Sequence, residues 1–191
     1  FQGYGRLDLQ AVINPAAPVM FIDQSEIFTA SGQQFSLPIA AADPAQPVRI
    51  MLAWTDAPGQ GLGGTTPAWV NDLNLSVEAS GSAFFGNVVG SDGWSASGGS
   101  ADGKNNLEGV FLSPAQHGGF ARITVDAANI AWDALNPHAP GSPAQDFALA
   151  CYNCVLGEGF GLSVTPASAQ VCAPEDADAT ILDRLRGKSA E

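Results

Sequence analysis

The sequence predicts an all-β fold, an antiparallel jelly-roll or β-sandwich with long glycine-rich loops and a short N-terminal strand-and-helix element. Three observations predict it. Apolar residues alternate with polar or small ones in runs of strand length. The runs are separated by clusters of Gly, Pro, Ser, Asn and Asp, the spacing of short strands in a two-sheet fold. Finally, 22 glycines and 13 prolines among 191 residues favour turns and strands over long helices.

Taken in order, Gly3-Tyr4-Gly5-Arg6-Leu7-Asp8 leads into a short helical pattern that ends near Ile13. Asn14-Pro15 stops it, because the residue before a proline avoids the helical region. Strands are then expected at Val19–Asp23, at Gln34–Ala41 (with Phe35, Leu37 and Ile39 on one face) and at Val48–Thr55. Further strands are expected at Val70–Glu78, Ala83–Gly86, Leu107–Leu112, Phe120–Asp126 and Asp146–Cys151. Three long loops, 57–69, 87–106 and 129–145, carry most of the polar and turn-forming residues. Long loops in compact β-domains often bind ligands or metals. Residues 155–170 read as a linker, and the tail from Asp183 to Glu191 does not continue a sheet.

Charge narrows the function. The chain has 19 acidic and 7 basic side chains, a net charge of −12. Phosphate binding needs Lys and Arg, so nucleic acid is not an expected partner. No apolar run is long enough to span a membrane as a helix, so no membrane partner is expected either. An acidic chain suits divalent cations. The chain opens at Phe1 inside what looks like a structural element, so it reads as a piece of a longer protein.

Cys151, Cys154 and Cys172 are an odd number. The first two form a Cys-x-x-Cys, and a disulfide of open pairing is favoured over a free thiol or half a zinc site. Trp54 sits on an apolar strand and is expected in the core. Trp69, Trp94 and Trp132 are expected to plug loops onto the sandwich, although exposed aromatics would also suit a carbohydrate surface. His117 and His138 are expected as exposed loop residues.

Two clusters of acids and amides stand out: Asp56, at the end of Leu52-Ala53-Trp54-Thr55-Asp56-Ala57-Pro58, and Asn71-Asp72-Leu73-Asn74-Leu75. Downstream come Gly86-Asn87, Asn105-Asn106-Leu107-Glu108-Gly109-Val110-Phe111, Pro114 with Gly118-Gly119-Phe120 and Arg122-Ile123-Thr124-Val125, and Gln145-Asp146-Phe147-Ala148-Leu149. In this order they resemble the C-terminal β-domain of subtilisin-like serine proteases of the alkaline, oxidatively stable subgroup. The Gly3-to-Asp8 segment resembles the end of the catalytic domain of such enzymes. Residues 161–180, with Val171-Cys172-Ala173-Pro174, resemble the start of an immunoglobulin-like repeat. Asn74 stands where the family often has Asp, and the insertion 131–144 has no counterpart.

The resemblance implies three units: residues 1–15 closing the catalytic domain, 16–154 forming the β-sandwich, and 155–191 as a linker with the start of a repeat or a tail. It implies a non-catalytic domain of a secreted endopeptidase, with the Asp-His-Ser triad upstream. Its partner would be that catalytic domain, and it would help shape access for protein substrates. It also implies calcium. The candidate ligands form two groups, Asp56 with Asn71 and Asp72, and Asp92 with Asp102, Asn106 and Glu108. The bland alternative is that these residues only cap turns and strand ends. A carbohydrate- or surface-binding module of another secreted hydrolase, or a structural adhesin segment, are the rival functions.

Overall fold

A computed structural model describes residues 8–59 and 69–157. The Gly3–Leu7 part of the opening motif, most of the 57–69 loop, Cys172 and everything after Gly157 lie outside the described residues.

Among the described residues, ten strands and two short helices follow in the order α1 (Leu9–Ile13), β1 (Val19–Phe28), β2 (Gln34–Ala41), β3 (Val48–Ala53), β4 (Asp72–Ala79), β5 (Ser82–Val89), β6 (Ser95–Ser97), β7 (Leu107–Leu112), α2 (Pro114–His117), β8 (Phe120–Asn129), β9 (Gln145–Tyr152) and β10 (Cys154–Leu156). One sheet runs β1-β9-β3-β7, the other β10-β2-β8-β4-β5-β6. Every ladder between named strands is antiparallel. Without β6 and β10, this is the four-on-four strand order of a jelly roll.

The alternation that predicts the strands also builds the core. Leu37 and Ile39, Ile50 and Leu52, Leu73, Leu75 and Val77, Val110 and Leu112, Ile123 and Val125, and Phe147 and Leu149 meet between the sheets, all buried. Phe147 stacks on Phe28 with ring centroids 5.5 Å apart. Trp54 is in this core, as its strand predicts.

Two departures have local causes. β1 runs past Asp23 to Phe28 through an irregularity in register, with Gln24 at φ 53°. The polar stretch Asp23–Glu26 hides this continuation, because a bulge interrupts the two-residue period. His117 is not exposed: it is buried in α2. Its Nε2 lies 3.0 Å from Gln46 O, and its Nδ1 accepts the Gly119 amide at 3.0 Å. The single turn of α2 is anchored by Gln116 Oε1, which accepts the Ser113 amide, and this points the imidazole inward. His138 is exposed in its loop, as expected.

Cys151 and Cys154 form a disulfide that ties β9 to β10. Asn153 turns the chain between them at φ 61° and is buried. It accepts the Asp43 amide through Oδ1 and donates through Nδ2 to Asp43 O and Gln46 O. Structural disulfides persist in oxidising compartments. Among the described residues no helix is long and apolar enough to cross a membrane.

Candidate functional site

The six-stranded sheet splits at the start of β4. β4 pairs with β8 along almost its whole length, but with β5 only from Ser76 to Ala79. Beyond Phe85, β5 turns away over β7, leaving the first half of β4 without a strand on that side. The gap is filled by a side chain from the opposite sheet. Glu108 of β7 reaches across, and its Oε2 accepts the Leu75 amide at 2.8 Å. Gly86 of β5 lies directly over it: a Cβ there would stand 2.1 Å from Glu108 Oε2 and 2.8 Å from Glu108 Cβ. The motif glycine is thus required by close approach, not by an unusual φ. Replacing Gly86 with Ala must push Glu108 or the backbone aside and is expected to destabilise the fold by about 2–3 kcal/mol, the cost of overpacking a buried site. Urea denaturation checks it, and a cost below about 0.5 kcal/mol, the range of an ordinary surface change, would contradict the packing.

Glu108 has no solvent exposure and Asp72 is 7 % exposed. Among the described residues, three buried side-chain oxygens have no hydrogen-bond donor: Asp72 Oδ1, Asn74 Oδ1 and Glu108 Oε1. Asp72 and Asn74 are two residues apart on β4 and so share a face. Burial first, then the charges of Asp102 and Asp72, pushes the Glu108 carboxyl up to about 8, against the opposing hydrogen bond from Leu75. Burial first, then Asp102 and Asp56, pushes Asp72 up to about 6. Burial also tends to raise Asp102, but hydrogen bonds from Asn87, Asn105 and the backbone of Lys104 and Asn105 outweigh it and hold its carboxyl below the usual value. Asn87 is the organiser on β5: its Nδ2 donates to Asp102 Oδ2 at 2.6 Å and to Leu107 O at 2.9 Å, and its Oδ1 accepts the Gly109 amide.

Asp72, Asp102 and Glu108, taken from the two predicted groups, thus lie near enough to act on one another's charge, and Asn74, which was not a candidate, also buries an oxygen without a donor. The same-face spacing of Asp72 and Asn74 on a strand is the sequence signal that would have found it. The remaining candidates have other work. Asp56 accepts the amides of Ala57, Val70 and Asn71. Asn71, wholly buried, donates to Trp132 O and Gln145 Oε1 and accepts the amides of Ala131 and Trp132. Asp92 closes the β5–β6 turn by accepting the Trp94 amide. Asn106 Nδ2 donates to Trp54 O. Among the described residues no three His, Cys, Asp or Glu side chains converge tightly enough to hold a metal by themselves. A cation site here needs further oxygens from amide side chains, backbone or water.

Among the loop tryptophans, Trp132 is 46 % exposed, and Trp69 fastens its loop by donating to Gly103 O at 2.6 Å. A cleft of 470 Å³ crosses the outer face of the six-stranded sheet, lined by Pro38, Glu78, Phe120 and Arg122 among others; none of the tryptophans lines it.

No protein-family model matches this chain, and no curated protein matches it. The chemistry of the site therefore rests on its own atoms. Side-chain oxygens buried without donors are costly unless a proton or a cation satisfies them. The donor set is all oxygen, which fits a hard cation and disfavours zinc or copper.

Proposed function

We propose that residues 16–157 form a non-catalytic accessory β-sandwich of a secreted subtilisin-like serine endopeptidase, stabilised by calcium bound at Asp72, Asn74 and Glu108 with Asp102 beside them. One observation supports this best. Two residues that carry the resemblance, Asp72 and Glu108, each bury a carboxylate oxygen that lacks a donor. Asp72 feels the charges of Asp102 and Asp56, and Glu108 those of Asp102 and Asp72. Calcium takes six to eight oxygens from carboxylates, amides, backbone carbonyls and water. Its charge would offset the repulsion between Asp72 and Asp102 and replace the proton that Glu108 otherwise keeps.

In this role the domain packs against the catalytic domain upstream and holds it rigid, and the peptide-bond chemistry belongs to that domain's triad. The Cys151–Cys154 disulfide supports a life outside the cytoplasm. The coding sequence upstream of Phe1 tests the protease assignment. A Gly-Thr-Ser-Met-Ala segment within the preceding hundred or so residues supports it, and a glycosidase or another β-repeat there overturns it. With the parent enzyme in hand, deletion of residues 16–157 is expected to shorten the half-life of peptidase activity on heating.

A further inference from the structure

Resting on the protease reading above, we infer that the outer face of the four-stranded sheet is the surface on which the catalytic domain sits. Residues on this face alternate with the core residues of β1, β9, β3 and β7. Its middle row runs Phe21-Ala150-Met51-Gly109, each level with the next across the ladders. In the rows on either side only Asp23 and Arg49 are charged. A Cβ on Gly109 would stand 2.9 Å from both Met51 Sδ and Phe111 Cζ. These two side chains therefore fold over the glycine and level the face. Phe21 stands at its edge, 70 % exposed.

An antiparallel sheet commonly turns an apolar face to the core and a polar face to water. The six-stranded sheet does so: one row of its outer face reads Ser36-Thr124-Ser76, and the next starts Gln34-Asp126. The four-stranded sheet is apolar across its core face and most of its outer one, the pattern of a sheet covered on both sides. The chain just ahead of it adds a second apolar surface. Leu9, Val12 and Ile13 share one face of α1, all three are exposed, and no residue of α1 is buried. So short a helix does not hold in water without packing. Only residues 14–18 separate α1 from β1, the edge strand of this sheet. Both apolar surfaces thus belong to the end of the fold that adjoins the upstream domain.

Area selects the occupant. Four strands by five residues cover roughly 300 Å². A stable contact between free proteins takes about 800 Å² from each partner, so two copies stacked on this face fall short. A domain in the same chain needs less. Interfaces within a chain begin near 600 Å² for the two sides together, and a short tether holds the partner at about millimolar concentration.

In the parent enzyme, expressed from its full coding sequence, Phe21→Glu and Ala150→Lys are each expected to shorten the half-life of peptidase activity on heating. The expected factor is about tenfold or more, the scale of uncovering one phenylalanine side chain. In the 191-residue chain alone, the same substitutions are expected to leave the melting temperature within about 2 °C, as surface changes do. Phe120→Glu, on the outer face of the other sheet, is expected to change neither quantity. Parent variants that inactivate at the wild-type rate would overturn the docking face and leave the protease reading standing. A melting temperature that falls equally in the chain alone would assign these residues to the sandwich's own stability and overturn it too. A 191-residue chain that sediments as a dimer, and as a monomer with Phe21→Glu, would give the face to a second copy. A parent without a peptidase triad upstream overturns both readings.

Discussion

Asn71→Ala is expected to cost about 3–5 kcal/mol, the largest loss from any single polar substitution in this domain. Asn71 makes four side-chain hydrogen bonds, and each is worth about 1 kcal/mol net. More important is what the truncation leaves behind. The amides of Ala131 and Trp132 lose their acceptor and Gln145 Oε1 loses its donor, while Trp132 O keeps the Ala144 amide. Gln145 is itself wholly buried and donates to Thr55 O and Asp146 O, so it cannot turn to water for a replacement. A buried group stripped of its partner costs about 1–3 kcal/mol. A domain of this size has about 5–15 kcal/mol in total. The expected result is a melting temperature lower by about 10 °C or more, at roughly 2–4 °C per kcal/mol. Asn71→Asp is no remedy, because a carboxylate cannot donate to Trp132 O or Gln145 Oε1. Equilibrium urea denaturation of both variants checks this, and a loss below about 1 kcal/mol for Asn71→Ala would show that the loop rearranges around the gap.

The second large effect is a pH dependence that calcium removes. In the absence of the ion, native Glu108 holds its proton to about pH 8, whereas an unperturbed glutamate releases it near 4.5. Between those values the native state binds a proton that the unfolded chain has lost, so stability falls as pH rises. The contribution is complete below 4.5 and gone above about 8. Asp72 acts in the same direction between 3.8 and about 6. Asp102 acts oppositely: its carboxyl is held below the usual value, so its contribution is present above 3.8 and is lost in acid as pH falls through its native value. In EGTA, raising the pH from 5 to 8.5 is therefore expected to lower stability by about 2 kcal/mol or more. On the proposed calcium site the ionised carboxylates are the bound form, so in calcium the decline is expected to disappear. Glu108→Gln keeps the shape without the titration. It is expected to flatten the EGTA profile and to lose the calcium response.

Most of the sandwich was legible because it rests on local alternation. β2 and β7 begin and end where Phe35-Leu37-Ile39 and Leu107–Leu112 predict. Elements held by tertiary contacts were not. β6 is three residues with one ladder pair, Val89 with Ser95. β10 exists because the Cys151–Cys154 bridge and the left-handed Asn153 return the chain to the edge of β2. α2 left a trace in Ser113-Pro114 with Gln116 three residues on, a capping pattern with proline at the first helical position. The burial of His117 depends on Gln46 from a distant loop and leaves no local signal.

The candidate site was half legible. Residue type marked Asp72, Asp102 and Glu108, since carboxylates among glycines and asparagines suggest a cation. Residue type alone does not separate a ligand from a cap. Asp56, Asp92 and Asp102 spend oxygens on nearby amides, and Asn71 is a buried hub between loop 131–144 and β9. What sets Glu108 apart is the split between β4 and β5. It admits a glutamate from the other sheet, and it follows from how far a ladder runs, which the sequence does not encode locally.

Thermal melts of the wild type and of Glu108→Gln at pH 7.5, in millimolar calcium and in EGTA, test the calcium-stabilised domain most directly. At calcium a hundredfold above its dissociation constant, binding to the native state alone adds about 2.7 kcal/mol. The wild type should therefore melt about 5–10 °C higher in calcium, and Glu108→Gln should melt at one temperature in both. A wild-type melting temperature that is the same in calcium and EGTA would contradict the account.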